Sequence, residues 1–209
     1  MAVIRKRAHR AADAVTKTIT AVLITATILF LFIPAIVVVV LSFSSEQFLR
    51  FPPSAWGFEQ YAAFFQSEYW LQAAGVSIGI AIPVALLTVA IALPATLAIN
   101  RTRMPFGNGV YMLGVSSLLI PGAAFAVALF GIFSRLGLTA TYLGIVLAHT
   151  VLALPIALVV LNSAIGRIPR ELDLVAMGLG ASRGRAWLDV TVRLLAPATA
   201  AAALFAFIT

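Results

Sequence analysis

Long stretches without a charged residue limit the fold of this sequence more than any other feature. No Asp, Glu, Lys or Arg occurs in residues 19–41, 69–100, 104–134 or 136–166. A helix that crosses the apolar core of a bilayer needs roughly 20 residues, so each stretch is long enough for one span. The whole sequence is 62% hydrophobic and 10% charged, whereas soluble domains carry about 25% charged residues. We therefore expect an all-α protein that crosses a membrane several times.

A fifth uncharged run, residues 194–209, is shorter than the others. Its 16 residues reach only about 24 Å as an α-helix, at about 1.5 Å per residue. We therefore expect the last helix to be incomplete as a span. The predicted spans are residues 19–41, about 74–99, 109–133 and 140–163, and an incomplete fifth over 195–209.

The basic residues predict the orientation of these spans, because Lys and Arg are retained on the cytoplasmic side. With alternating crossings, all of the 14 basic residues except Arg50 and Arg135 fall on the side of the N-terminus. Residues 1–18 are thus predicted to be a cytoplasmic basic segment. This layout explains the net charge of +7 by membrane orientation, so we expect no nucleic-acid partner.

Two connections between the predicted spans are long enough to form structure of their own. Residues 42–70 form a predicted extracytoplasmic loop rich in aromatic residues, in which Tyr61, Phe64 and Phe65 have the spacing of one face of a short interfacial helix. Residues 167–193 form a predicted cytoplasmic loop.

The sequence offers little for catalysis or for holding a cofactor. It has no Cys, and its lysines, Lys6 and Lys17, precede the first span, so no nucleotide-binding P-loop motif is present. The histidines are His9 and His149. We therefore predict a protein that is not an enzyme and has no catalytic, cofactor or metal site. His149 lies beside Thr150 within a span, where either a structural hydrogen bond or a place on a substrate path would account for it.

The loop at 167–193 carries the clearest functional pattern. Pro169 can begin a short helix, Gly178 or Gly180 can end it, and Ser182 can cap a second helix. A short helix of this kind can dock into a groove on a partner or lie on lipid, and the periodicity leaves both open. Its apolar stripe, at spacing i, i+3, i+4 and i+7, consists of Leu172, Val175, Ala176 and Leu179.

This loop resembles the coupling segment of permease subunits of binding-protein-dependent ABC importers. The family pattern is Glu-Ala-Ala, three residues, Gly, nine residues, then Ile-x-Leu-Pro. Leu174 stands in place of the glutamate, just after the acidic residues Glu171 and Asp173, and Arg193 stands in place of the proline. The matching positions are Val175, Ala176, Gly180, Val190 and Val192.

Other parts of the sequence resemble the spermidine/putrescine type of permease subunit and its relatives for phosphonate compounds. They lie at residues 48–54, 136–138, 141–144, 148–155 and 204–209. The resemblance implies the type I ABC importer transmembrane fold, with six spans in similar proteins, so four complete spans and part of a fifth are expected here. It implies a multi-pass protein of a bacterial or archaeal plasma membrane that translocates a small solute, with a polyamine favoured and a phosphonate as the alternative.

The resemblance also implies partners and site residues. The expected partners are an ABC ATPase subunit that holds the ATP, a second permease subunit of the same or a sister chain, an extracytoplasmic solute-binding protein and membrane lipid. His149 and Thr150 are the candidates for the translocation path. A scaffold or channel not coupled to ATP, or an inactive subunit shortened at its C-terminus, is the alternative from another class. The expected ATPase-coupling residues are Glu171, Leu172, Asp173, Val175, Ala176, Leu179 and Gly180.

Overall fold

The computed structural model describes residues 2–46, 48, 50–102 and 104–209, with side chains from residue 16 onward. Within these ranges the chain is helical, and β-structure is limited to one isolated antiparallel bridge between Ser44 and Trp56. The predicted all-α fold class is confirmed. The chain forms two compact units, Met1–Ala73 and Ala74–Thr209.

The first unit is dominated by helix α1 (Ala2–Ser42). Its part Thr16–Ser42 is 27 residues long and apolar enough to cross a membrane, and it contains the stretch 19–41 that we propose from the sequence as the first span. Large apolar side chains cover its surface, and Leu23 and Phe30 are 62% and 72% exposed. A continuous apolar surface of this size is unfavourable in water and suits contact with lipid.

The loop after α1 leads into a short helix, α2 (Glu59–Gln66), which confirms the short helix predicted from the aromatic spacing. The rings of Phe43 and Tyr61 lie 5.5 Å apart and hold the helix against the preceding loop. The Ser45 hydroxyl donates a hydrogen bond to the Glu59 carboxylate, and this bond lowers the pKa of Glu59 below its ordinary value.

The second unit is built around helix α6 (Tyr142–Ile165). This helix packs most extensively against α9 (Arg193–Ile208) and also contacts α4 (Gly107–Val115). Residues from the later part of α3 (Glu68–Arg101) complete the core. Alanine is frequent in these contacts, and small side chains let helices approach closely. The buried clusters are Ala92, Ala157, Leu158, Leu161 and Ala202, and Val84, Val146, Ala153 and Ala206.

The segment predicted as one span at 109–133 differs from that expectation. Helix α4 continues into a 3₁₀ turn, Ser116–Leu119, and is followed by α5 (Gly122–Arg135) at a bend of 109°. The break falls at Ile120, which is extended, and Pro121. Proline disfavours helical backbone in the residue before it and has no N–H to donate, so the helix ends here.

The last helix also differs from the expectation. Helix α8 (Arg183–Ala186) joins α9 through a π-helical turn, Trp187–Val192, and together they form a 26-residue helix, Arg183–Ile208. The prediction of an incomplete span counted only from residue 195, but the helix extends back into the predicted loop and is long enough to cross a membrane. The predicted cap is confirmed, because the Ser182 hydroxyl accepts from the backbone N–H of Arg185 at 3.4 Å.

The described residues thus contain four helices long and apolar enough to cross a membrane, or five spans if the bent pair is one. By length and composition this is a multi-pass membrane protein.

Candidate functional site

The helix predicted in the loop at 167–193 is present as α7 (Glu171–Gly178). Acidic residues in its first turn favour a helix start, because they complement the positive end of the helix dipole. At the other end, the N–H of Gly180 bonds to Met177 O at 3.0 Å and the N–H of Ala181 bonds to Ala176 O at 3.1 Å. Gly180 has a φ of +95°, which residues with a side chain rarely adopt. This is a Schellman motif, and it explains why glycine stands here.

The inner side of α7 is held by a buried charge network around Asp173. Asp173 is 5% exposed, and its Oδ2 lies 3.1 Å from Nε of Arg101, the last residue of α3. The two atoms form an ion pair without the alignment of a directed hydrogen bond. The Thr191 hydroxyl, in the π-helical turn, donates to Oδ1 of Asp173 at 2.7 Å. Asp173 therefore ties α7 to two other helices of the unit.

Polar contacts continue from this network towards α6. Arg101 Nη2 donates to Ile168 O at 3.0 Å, which fixes the chain just before α7. Asn100 Nδ2 donates to Asn162 Oδ1 at 2.8 Å, and Arg170 Nη2 donates to Asn100 O. Polar contacts of these side chains thus connect the adjoining ends of α3, α6 and α7.

The outer side of α7 is apolar and exposed. Leu172, Val175 and Leu179 are 41%, 61% and 86% exposed, and none of them belongs to the buried clusters. Ala176 is half-buried and Glu171 is exposed. The predicted stripe is therefore presented outwards. Asp173 is the exception among the predicted coupling residues, because it is buried and cannot be part of a contact surface.

The two candidates for a translocation path are in different surroundings. His149 is half-buried and lines a cavity of about 330 Å³ together with Ser77. Thr150 is 3% exposed, and its hydroxyl donates to Val146 O at 2.7 Å within its own helix. Only His149 is therefore placed where it can contact a solute.

The described residues bring together no group of three or more His, Asp or Glu side chains that could hold a metal ion.

Sequence patterns did not identify Arg101 and Thr191 as members of the site. Arg101 contributes to the charge bias that predicts orientation, but its partner on α7 is far away in the sequence. Thr191 lies in a π-helical turn, which departs from the 3.6-residue period on which helical patterns depend.

No family model matches the sequence, but individual proteins do. It is 37% identical over 145 residues, 69% of this chain and 63% of the relative, to a putative ABC transporter permease protein of Streptomyces antibioticus. It is 32% identical over 159 residues, 75% of this chain and 57% of the relative, to a trehalose transport system permease protein of Mycobacterium tuberculosis. Among the first relatives, the aligned region spans between 44% and 63% of their own length.

The fold also has a solved counterpart. A chain of a bacterial ABC transporter involved in the import of the acidic polysaccharide alginate superposes with a TM-score of 0.67 at 16% identity, covering 94% of this chain and 71% of that chain. The predicted ABC importer transmembrane fold is confirmed. The sequence relatives are permease subunits of ABC transporters, which agrees with a transport subunit rather than an enzyme, but they do not support the spermidine/putrescine type.

Proposed function

We propose that this chain is a membrane subunit of an ABC importer and that α7 docks on a separate ATPase subunit. The observation that carries the proposal is the contrast within α7, which is anchored inside by Asp173 and exposes Leu172, Val175 and Leu179 outside. A short helix with an unpaired apolar face is suited to a groove on a partner protein. The permease relatives and the importer fold support this choice over a helix that lies on lipid.

The anchoring of α7 gives the proposed coupling a physical route. When ATP binding moves the ATPase subunits, α7 moves with them. The ion pair to Arg101 and the hydrogen bond from Thr191 then transmit that displacement to α3 and to the helix Arg183–Ile208. These residues transmit force and catalyse no reaction.

The proposal includes an orientation and further partners. The N-terminus and α7 face the cytoplasm, as the distribution of Lys and Arg favours. A second permease subunit and an extracytoplasmic solute-binding protein complete the importer, as the family resemblance implies.

We propose an uncharged, sugar-like solute rather than the polyamine that the sequence resemblance favours. A polyamine carries several positive charges, but the long uncharged stretches contain no Asp or Glu to pair with them. Hydroxyl-rich solutes need hydrogen-bonding groups instead, and Ser77 and His149 supply them in the cavity of about 330 Å³. The trehalose permease relative supports this class of solute.

Site-directed crosslinking tests the docking of α7. The chain has no Cys, so Leu179→Cys introduces one thiol at a side chain that is 86% exposed. The full chain is co-expressed with an ABC ATPase subunit and treated with a reagent that carries a maleimide and a photoactivated group. We expect a crosslinked product that contains both subunits.

Leu136→Cys is the matched control, because Leu136 is a leucine 64% exposed in the loop after α5, on the predicted opposite side of the membrane. No crosslink from Leu179→Cys in a complex that co-purifies, or equal crosslinking from both positions, would reject the docking proposal. Uptake of labelled trehalose that unlabelled spermidine reduces and other disaccharides do not would reject the proposal of a sugar-like solute.

A further inference from the structure

A second cavity, of about 520 Å³, lies beside α7 where the end of α3 meets the start of the helix Arg183–Ile208. Its volume is within the range of about 300–1,000 Å³ typical of small-molecule sites. The side chains that define its chemistry are Arg101, Arg170, Asp173, Met177, Arg183 and Trp187.

The lining of this cavity carries an excess of positive charge. Arg101 and Asp173 form an ion pair and balance each other. Arg170 donates one N–H to Asn100 O, and a guanidinium has five N–H donors. No ion pair among the described residues involves Arg170 or Arg183. Two guanidinium groups therefore line one cavity without an acidic partner.

The cavity also lies at the level where the long apolar helices end. Arg101 is the last residue of α3, and Arg183 is the first residue of the last helix. Trp187 and Met177, both half-buried, give the cavity an apolar wall. Tryptophan concentrates at the interface between membrane and water, where its ring contacts lipid and its N–H contacts polar groups.

We propose that this cavity binds the phosphate of an anionic membrane lipid. The planar guanidinium groups of Arg170 and Arg183 match phosphate oxygens in geometry and charge, while Trp187 and Met177 contact the apolar part of the lipid next to the headgroup. Basic pockets between membrane helices bind anionic headgroups on this principle. The site is a property of the chain itself and does not depend on the proposed transport function.

The test measures lipid binding to the full chain without an ATPase subunit. The chain is reconstituted in nanodiscs of phosphatidylcholine with a small fraction of phosphatidylglycerol, and the lipid retained after transfer to detergent is measured by native mass spectrometry. We expect retention of phosphatidylglycerol over phosphatidylcholine. Each arginine should contribute about fivefold, so replacing both Arg170 and Arg183 by Gln should weaken the retention of phosphatidylglycerol about 25-fold.

Arg185→Gln is the matched control, because Arg185 lies on the same short helix as Arg183 but is exposed and paired with Asp189 at 3.7 Å. We expect it to retain phosphatidylglycerol as the unmodified chain does. Arg183→Gln alone leaves the contact of Arg170 with Asn100 intact. Thermal unfolding shows whether this variant is folded, so that a loss of lipid binding can be told from a loss of structure.

Three results would overturn the proposal. The first is a folded Arg183→Gln chain that retains as much phosphatidylglycerol as the unmodified chain. The second is displacement of phosphatidylglycerol by millimolar inorganic phosphate, which would indicate a site for free phosphate. The third is found if Arg183→Gln, which retains lipid unchanged, no longer co-purifies with the ATPase subunit when the two are co-expressed in a separate experiment. That result would assign the cavity to the protein contact instead.

Discussion

The two faces of α7 have opposite chemistry. The inner face is fixed by two contacts of Asp173, an ion pair with Arg101 and a hydrogen bond from the Thr191 hydroxyl. The outer face consists of exposed apolar side chains such as Val175 and Leu179. Directional contacts in a buried site hold one geometry, whereas apolar contacts depend mainly on area and tolerate small shifts. We infer that α7 is held rigidly by its own chain, while its outer face would adapt to the proposed partner.

The largest expected effect comes from removing the inner charge. Asp173→Ala leaves Arg101 buried without its partner, and the loss of one member of a buried ion pair costs about 3–5 kcal/mol. We expect the free energy of unfolding to fall by that amount, measured by thermal or denaturant unfolding in micelles. Asp189→Ala is the control, because the exposed pair of Asp189 with Arg185 should contribute no more than about 1 kcal/mol.

Replacing both charges sharpens this prediction. Arg101→Met combined with Asp173→Leu removes the uncompensated charge and should restore most of the lost stability. If the double variant still fails to restore coupling of ATP hydrolysis to uptake, the charge pair positions α7 as well as stabilising it.

A smaller effect is expected from the second contact on the inner face. Thr191→Val keeps the shape of the side chain but removes its hydrogen bond to the Asp173 carboxylate, which should cost about 1.5–3 kcal/mol. Thr191→Ser retains a hydroxyl and should be closer to the unmodified chain in thermal unfolding. An equal loss of stability in Thr191→Val and Thr191→Ser would show that the packing of the side chain, and not its hydrogen bond, stabilises the chain.

The end of α7 should be less sensitive. Gly180→Ala forces a side chain into a left-handed backbone conformation at a φ of +95°, at a cost of about 1–2 kcal/mol. Gly184→Ala is the control, because Gly184 lies in helix α8 with open space around it. Alanine is the better helix former, so the free energy of unfolding of this variant should rise by up to about 1 kcal/mol. Relative to the unmodified chain, we expect the unfolding midpoint to fall for Gly180→Ala and to rise for Gly184→Ala.

The outer face should affect stability least and association most. Leu179→Ala changes an exposed side chain, so the free energy of unfolding should stay within about 0.5 kcal/mol, while co-purification with the ATPase subunit falls strongly. Leu136→Ala, at another exposed leucine, should change neither. A Leu179→Ala chain that unfolds early would show that this face packs within the chain instead of against a partner.

Local signals in the sequence predicted α7 well and its inner face poorly. Pro169, Gly180 and Ser182 mark helix ends through their own backbone and side-chain chemistry, so they are recognisable without tertiary structure. The burial of Asp173 depends on Arg101, which folding brings to it from another helix. An acidic residue in a polar loop has the pattern of a solvated side chain, and only the fold reverses that expectation.

The bend at Pro121 could not be predicted for a similar reason. A proline within an apolar stretch can kink a continuous helix or end it, because neighbouring helices decide whether the freed backbone groups find partners. The sequence contains other prolines, Pro83, Pro94 and Pro155, inside helices that continue through them. The apolar length of residues 104–134 was therefore compatible with both outcomes.

The π-helical turn at Trp187–Val192 changes the angular phase of the last helix. In a regular α-helix each residue advances by about 100°, so the spacing of two residues fixes the angle between their side chains. A wider turn relaxes that relation. Ala186 and Thr191, five residues apart, would point about 140° away from each other in a regular α-helix, yet both are fully buried. The wider turn narrows that angle, so Thr191 can donate to Asp173 from the same side of the helix that buries Ala186. Deleting one residue between Ala186 and Thr191 would leave them four residues apart, about 40° in a regular α-helix, so the π turn accommodates one residue that a straight helix with the same buried face would not hold.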